Sequence, residues 1–256
     1  MKNAITIANF YYQDLFENFS MNIEKNSFSV LSGPNNCGKT VLIRILNREI
    51  ITKSDITIFE NNINTYPIDI YSKLVSCVIP MEYLPKDVNI EEELNVYSID
   101  SEEKEWLLKG LKMKRIIHKK INELSNKEFI LFQLVVALAK KPRILLIDTI
   151  SSYFNKNEIL DIISFLKEYQ QKEKITVLYI ARKLEETLLA DSLYIMNEKV
   201  IQLQDSPLEV LKNDNIINKI GLRLPFMIDL SVKLIDYDLI DSICLEQDRM
   251  VDDLWK

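Results

Sequence analysis

Residues 33–40 read Gly33-Pro34-Asn35-Asn36-Cys37-Gly38-Lys39-Thr40 and fit the pattern G-x-x-x-x-G-K-[ST] of a phosphate-binding loop. The glycines let the backbone wrap closely around an anion and point N–H groups inward at the positive end of the following helix. We expect Lys39 to reach the β- and γ-phosphates of a nucleotide and Thr40 to place its hydroxyl on Mg²⁺. Asn36 stands where glycine is common, but asparagine tolerates left-handed backbone better than most residues.

The segments beside the loop supply the context that this pattern requires. Ser27–Ser32 is a short apolar strand that runs into the loop. Thr40–Arg48 has helical spacing, with Leu42, Ile43 and Leu46 on one face. Strand, glycine loop and helix in this order favour a working nucleotide-binding loop over a decayed loop that keeps only its shape.

A second segment, Arg143–Asp148, is apolar after its first residue and predicts a strand that ends in an aspartate. Alone, the pattern fits an ordinary strand-end aspartate equally well; with the phosphate loop, it predicts that Asp148 holds the magnesium. The next residue is Thr149, which cannot accept a proton from an attacking water near neutral pH. Because a positioned general base typically contributes about 10²–10⁴-fold, we expect slow hydrolysis at this site.

Composition narrows the function classes. A net charge of −6 argues against a nucleic-acid partner, which usually requires a basic surface. The widely spaced Cys37, Cys77 and Cys244 suggest neither a disulfide framework nor a zinc site. The longest apolar stretch, 129–139, is shorter than the roughly 18–20 residues that span a bilayer, and the N-terminus shows no apolar signal segment. We therefore expect a soluble or peripheral protein.

Strands and helices alternate along most of the chain, which predicts an α/β fold with a parallel core sheet covered on both faces. Further strands are expected at 4–10, 16–23, 55–60, 74–79 and 176–181, helices at 125–140 and 157–168, and a hairpin at 193–196 and 200–203. The polar helical stretch that starts near residue 85 predicts an inserted helical subdomain, about 85–140. We expect a main domain over 1–205 and a small helical C-terminal subdomain over 206–256.

The order of these motifs resembles that of an ABC-type ATPase. The resemblance implies a P-loop NTPase fold with antiparallel N-terminal strands, ATP on the loop 33–40, and Mg²⁺ on Thr40 and Asp148. It also implies that Tyr12 stacks on the adenine, although Tyr12 is equally an aromatic at a strand end.

The segment Leu124-Ser125-Asn126-Lys127-Glu128 takes the place of this family's signature Leu-Ser-Gly-Gly-Gln. Leu124 and Ser125 match it, and the resemblance implies that they complete the nucleotide site of the other subunit. Ser125 and Glu128 also have the S-x-x-E spacing that caps a helix without any ligand. The two interpretations are compatible.

The chain departs from the family's pattern at several positions. Thr149 replaces the catalytic glutamate, and Arg182 replaces the switch histidine. The glutamine expected near Pro80 is absent, since no glutamine occurs from residue 14 to 132. The one histidine, His118, lies elsewhere and is expected to be a solvated helix residue. No residue of this chain is therefore predicted to act as a catalytic base.

The C-terminal run Lys219–Phe226, KIGLRLPF, resembles the tail of the ATPase subunits of energy-coupling factor (ECF) transporters. That resemblance implies a peripheral subunit on the cytoplasmic face of the cell membrane. Its partners would be a second ATPase subunit, a membrane-embedded coupling subunit and a substrate-binding subunit for vitamins or metal ions. Because this chain lacks the glutamate and the histidine, we expect a heterodimer whose other ATPase supplies both.

Three alternatives stay open at this point. The chain could be an ordinary hydrolytic ATPase that uses other groups, or a soluble nucleotide-responsive regulatory protein without a transport role. It could also be a structural subunit that has lost nucleotide binding, although the intact Lys39, Thr40 and Asp148 argue against this.

Overall fold

A computed structural model describes residues 2–80 and 87–255. Within them the strands are β1 Asn3–Tyr12, β2 Phe16–Glu24, β3 Phe28–Ser32, β4 Ile56–Ile58, β5 Asn61–Asn62, β6 Val75–Val78, β7 Ile144–Asp148, β8 Thr176–Ile180, β9 Ser192–Asn197 and β10 Val200–Asp205. The α-helices are α1 Lys39–Leu46, α2 Ile68–Leu74, α3 Ile90–Leu94, α4 Ser101–Gly110, α5 Asn126–Ala139, α6 Lys156–Glu173, α7 Pro207–Leu211, α8 Asp214–Lys219, α9 Phe226–Asp236 and α10 Gln247–Leu254. The expected start of the helical subdomain near residue 85 lies outside these residues.

The strands form two sheets, and the larger one positions the site. Its order is β10-β9-β3-β8-β7-β6, and all neighbours run parallel except β10, which forms an antiparallel hairpin with β9. The smaller, antiparallel sheet has the order β2-β1-β4-β5. Because β8 lies between β3 and β7, the segments that follow these three strands meet at one carboxyl edge of the sheet, where ligands of such sheets usually bind. The predicted parallel core and antiparallel N-terminal strands are confirmed.

Both faces of the parallel sheet are buried. Along β7, Leu145 and Ile147 belong to one hydrophobic cluster, while Ile144 and Leu146 belong to another. The first cluster includes side chains of α5 and α6, and the second includes those of α1 and the smaller sheet. This alternation is the period of two that a strand imposes, and it explains why the strand is apolar throughout.

The helices of the predicted subdomain pack on α6. Trp106 of α4 stacks on Tyr169, with ring centroids 5.6 Å apart. Gly110 fits against Phe165, since a Cβ there would lie 2.1 Å from that ring. Lys112 adds an exposed ion pair to Asp161 at 2.6 Å. Aromatic packing therefore connects this subdomain to the core.

The C-terminal helices divide between two clusters. Ile217 of α8 and Ile228 of α9 belong to the main core, whereas Ile240, Cys244 and Met250 form a separate small cluster. The boundary at residue 206 stays a prediction. None of the described helices combines the length and the apolar composition that crossing a bilayer requires.

Two element bounds differ from the expected ones for visible reasons. Helix α6 continues to Glu173, past the expected end at residue 168, because Tyr169 and Gln170 are buried against the core. Strand β4 ends at Ile58 because Phe59 and Glu60 adopt left-handed backbone, with φ of 48° and 71°, and turn the chain into β5.

Candidate functional site

The phosphate loop joins β3 to α1, and its two glycines are required by the space around them. A Cβ on Gly33 would lie 2.1 Å from the carbonyl oxygen of Met196 in the neighbouring strand β9. Gly38 has φ of 106°, and a Cβ there would lie 3.2 Å from the Phe16 ring. Asn36 adopts φ of 62°, a left-handed conformation that asparagine tolerates better than most residues. The loop therefore has the tight backbone of an anion cradle.

Lys39 lies over its own loop. Its Nζ donates to the carbonyl oxygens of Gly33, at 2.8 Å, and Pro34, at 2.6 Å, and lies 3.4 Å from the Sγ of Cys37. Within the described residues it pairs with no carboxylate. A half-buried ammonium that contacts only neutral groups has no negative charge to balance it, and a bound phosphate would supply that negative charge.

The loop borders a cavity of about 560 Å³. This volume is typical of small-molecule sites, which span about 300–1,000 Å³. The cavity is lined by Leu15, Asn35, Asn36, Gly38, Lys39, Thr40, Val41 and Thr149. The structure thus brings the loop and the residue after Asp148 to one site.

Asp148 ends β7 and is buried, and its Oδ1 accepts a 2.7 Å hydrogen bond from the Thr149 hydroxyl. In the described part of the chain, no group of three or more metal-binding side chains is assembled. Two protein oxygens, one from Thr40 and one from Asp148, suit Mg²⁺, which is usually held by one or two protein oxygens together with phosphates and waters. Thr40 and Asp148 would hold the ion, which would neutralise phosphate charge. Their role as ligands remains a prediction.

Thr149 adopts left-handed backbone, with φ of 39° and ψ of 51°. This conformation is an outlier for a β-branched residue, because its Cβ crowds the neighbouring carbonyl. The hydroxyl is already committed to Asp148, so the position facing the cavity offers no general base.

Tyr12 does not line the cavity. Its ring stacks on Phe10, with centroids 6.2 Å apart and planes 11° from parallel. The neighbouring residue that does line the cavity is Leu15, in the turn between β1 and β2. Adenine stacking by Tyr12 stays a prediction, and sequence reasoning missed Leu15 because a lone leucine in a turn carries no signal.

Arg182 follows β8, at the same edge of the sheet. Its Nη1 donates a 2.9 Å hydrogen bond to the hydroxyl of Ser152, in the 3₁₀ turn that follows Thr149. The segment after β8 is therefore linked directly to the segment after β7. His118 is exposed, as expected, but the expected helix is wrong: it lies in a turn after the 3₁₀ helix Lys114–Ile116, with its Nδ1 3.2 Å from a carboxylate oxygen of Glu91.

A buried carboxylate that the sequence did not reveal, Glu186, supports the segment after β8. It is only 2% exposed and accepts hydrogen bonds from the Tyr179 hydroxyl and, at 3.0 Å, from the backbone N–H of Lys183. Burial raises the pKa of Glu186, although these donors oppose the rise. Nothing distinguished it in the sequence from the adjacent Glu185.

The segment in the signature position caps a helix. Ser125 is the N-cap of α5, and its hydroxyl and backbone N–H lie 2.8 Å from a carboxylate oxygen of Glu128. Leu124 packs against the core. Lys127 forms an ion pair with Glu158, so its bulk is fixed beside the cap. The predicted capping box is confirmed, and the role of Leu124 and Ser125 in a partner's site remains a prediction.

Comparison with known proteins gives one consistent family. A family model described as ABC transporter matches residues 16–152. The energy-coupling factor transporter ATP-binding protein EcfA of Pediococcus pentosaceus is 25% identical, covering 97% of this chain and 95% of that protein. The spermidine/putrescine import ATP-binding protein PotA of Borrelia garinii subsp. bavariensis is 28% identical over 76% of this chain and 58% of its own length.

A solved structure agrees in fold. The structure of CbiO1 from Clostridium perfringens, described as part of the ABC transporter complex CbiONQ, superposes with a TM-score of 0.72 at 19% identity. The match covers 90% of this chain and 99% of that one. The family match extends over more than half of the chain and includes both the phosphate loop and Asp148. This chain belongs to the ABC transporter family and has the P-loop fold of its ATP-binding subunits.

Proposed function

We propose that this chain is the ATP-binding, slowly hydrolysing ATPase subunit of an ECF-type importer. One observation carries the proposal: Lys39, Thr40 and Thr149 line the same cavity, so a site suited to hold Mg-ATP has no general base beside Asp148. The chain would bind ATP, close against a partner and transmit motion, while chemistry is fast only at the partner's site.

Similarity over whole lengths favours the ECF class. The Pediococcus protein named for an energy-coupling factor transporter is similar over 95% of its length, whereas the polyamine-import protein is similar over 58% of its length. In this proposal a different subunit selects the vitamin or metal ion that is imported. The second ATPase supplies the glutamate and histidine that Thr149 and Arg182 replace here.

A groove lined by exposed isoleucines is a candidate contact with the membrane-embedded subunit. It has a volume of about 440 Å³ and is lined by Asn47, Arg48, Ile51, Ile68, Tyr71, Ser72, Val75, Ser76, Cys77 and Lys140. The Ile51 and Ile68 side chains are each 80% exposed, which is costly for apolar groups that stay in water. An amphipathic helix of the membrane subunit would cover them and hold this chain at the cytoplasmic face.

The first experiment measures Mg-ATP binding and hydrolysis by the purified chain. We expect binding that Lys39→Ala abolishes, because among the described residues Lys39 is the one lysine that lines the cavity, and we expect turnover near background. Lys53→Ala, which removes an exposed lysine outside the cavity, is the matched control and should bind normally. Turnover that depends on Lys39 and proceeds at an ordinary ATPase rate would contradict the proposal. If the wild type did not bind Mg-ATP at all, the chain would instead be a structural subunit that has lost nucleotide binding.

The second experiment restores the carboxylate. In the complex with its partner ATPase, Thr149→Glu should raise turnover, by up to about 10²–10⁴-fold at this site if the base alone is missing. Thr149→Gln introduces a side chain as long as glutamate but without a basic carboxylate, so it should not raise turnover. Equal rates for the two variants would show that loss of the base is not what limits this site.

A further inference from the structure

A second cavity, of about 430 Å³, borders the start of the phosphate loop. It adjoins the nucleotide cavity, and among the residues that the structure describes the two linings have Asn35 in common. Three segments build it: the loop residues Gly33–Asn35, residues 182–185 after β8, and residues 221–223 after α8. It therefore connects the nucleotide site with the C-terminal part of the chain.

The walls of this cavity are cationic. Its lining, as far as the described residues go, includes three cations, Arg182, Lys183 and Arg223, and a single carboxylate, that of Glu185. Within residues 2–80 and 87–255, none of these three cations forms an ion pair. The side chain of Arg182 donates one hydrogen bond, to the neutral Ser152 hydroxyl. Three unpaired cations around one space repel one another and attract an anion.

Arg223 is held at this cavity by a helix cap. Helix α8 ends at Lys219, and Gly221, two residues later, has a φ of 79°. The Gly221 N–H donates to the Asn218 carbonyl at 3.0 Å, and the Leu222 N–H donates to the Ile217 carbonyl at 3.1 Å. These two bonds are a Schellman motif, with the left-handed residue that usually is glycine. Leu222 then packs on the main cluster that contains Ile217, which anchors the next residue. The cap thus fixes the backbone that places Arg223 in the lining of this cavity.

We propose that this cavity binds a phosphate group, either the terminal phosphate of bound ATP or inorganic phosphate, and that Arg223 is the main residue that holds it. The proposal rests on the proposed function, in which ATP occupies the loop. A guanidinium suits the task, because its planar fork can donate two hydrogen bonds to phosphate oxygens. Asn35 lines both cavities, so the proposed phosphate site lies next to the loop that holds the nucleotide.

The test compares ATP and ADP affinity by calorimetry for the wild type, Arg223→Gln and Lys219→Gln. Lys219 is an exposed cation four residues earlier that does not line the cavity, so it controls for the loss of one charge. If the site holds the terminal phosphate, Arg223→Gln weakens ATP binding about tenfold or more and leaves ADP binding unchanged. Arg223→Lys should restore part of the loss, and circular dichroism verifies that each variant is folded.

Titration with inorganic phosphate, in the presence of Mg-ADP, distinguishes the second source. If the site holds free phosphate, the wild type binds it, Arg223→Gln does not, and both nucleotide affinities stay the same. The proposal would be overturned if wild type and Arg223→Gln had the same ratio of ATP affinity to ADP affinity and also bound inorganic phosphate equally well. Arg223-dependent phosphate binding by a chain that binds neither nucleotide would contradict the proposed function and leave this site standing.

Discussion

At the scale of single residues, Thr149 combines two opposing effects on stability. Its backbone has φ of 39°, where an L-residue with a branched Cβ is crowded by about 1–2 kcal/mol, while its hydroxyl donates to the buried Asp148 carboxylate. Asparagine tolerates this backbone, and its side-chain amide N–H can donate to Asp148 in place of the hydroxyl, so we expect Thr149→Asn to stabilise the fold by about 1 kcal/mol. For a chain of this length, that gain raises Tm by about 2 °C in thermal unfolding.

Thr149→Val separates the two effects. Valine keeps the branched Cβ and its strain but removes the hydroxyl, so Asp148 loses a donor and stability should fall by about 1.5–3 kcal/mol. If both variants lowered Tm, the left-handed backbone would not be a source of strain at this position.

Glu186 makes stability depend on pH. Because burial raises the pKa of Glu186 in the folded chain, the folded state binds more protons than the unfolded state at pH values between the usual carboxyl pKa, about 4.3, and the raised value. The free energy of unfolding therefore falls as pH rises through this window, by at most about 1.4 kcal/mol per pH unit. Glu186→Gln can accept the Lys183 N–H with its amide oxygen and donate its amide N–H to the Tyr179 hydroxyl, and it should remove this slope.

Urea unfolding from pH 4 to pH 8 measures the difference between Glu186→Gln and wild type, which should grow in favour of the variant as pH rises. Glu185→Gln removes the same charge from the adjacent position and serves as control. A difference that stayed constant with pH would contradict a raised pKa at Glu186.

At the scale of elements, two hairpins turn through residues that are poorly suited to them. Glu198 and Lys199, between β9 and β10, have φ of 46° and 71°, the positive pair of a type I′ turn, which favours Asn-Gly. Glu198→Asn with Lys199→Gly should stabilise the fold by about 1 kcal/mol, measured by urea unfolding. The exposed ion pair from Lys199 to Glu17, at 3.3 Å, offsets little of this gain.

The turn between β4 and β5 supplies the matched comparison. Phe59 and Glu60 have the same signs of φ, but the Phe59 ring lies 4.2 Å from the Arg143 guanidinium and 5.2 Å from the Lys25 ammonium. Phe59→Asn with Glu60→Gly relieves the same strain and loses these contacts, so it should gain less than the first pair or lose stability. A larger gain here than at Glu198 and Lys199 would contradict backbone strain as the cause.

Secondary-structure elements were predicted from the sequence more successfully than tertiary contacts. Loop 33–40, the capped start of α5 and the strand that ends at Asp148 were predictable, because period, cap spacing and glycine placement are local properties. The extension of α6 depends on Tyr169, which is buried only once the sheet forms. Arg223 and Glu186 reach the edge of the sheet from the helix cap at Gly221 and from the turn after β8, and their relation to the loop is purely tertiary.

At the scale of the whole molecule, charge is unevenly distributed along the chain. Residues 226–256 contain eight carboxylates and three basic side chains, a net −5, whereas residues 1–225 contain 30 acidic and 29 basic side chains, a net −1. The same segment exposes Phe226, Tyr237, Leu239 and Trp255, with Phe226, Tyr237 and Trp255 each more than 70% exposed. Apolar attraction between two copies through this segment is therefore opposed by like charges, which favours a different chain as partner.

Salt should separate these opposing forces. Raising ionic strength from 0.1 M to 1 M shortens the Debye length from about 10 Å to about 3 Å, so self-association of the purified chain, measured by sedimentation velocity, should strengthen with salt. Asp238→Asn with Asp241→Asn, beside Tyr237 and Leu239, should associate more at low salt and depend less on salt. Glu102→Gln with Glu168→Gln removes two exposed charges elsewhere and should behave as wild type. Association that weakens with salt would instead indicate attraction between the acidic segment and a basic surface of the second copy, and would remove this argument for a heterodimer.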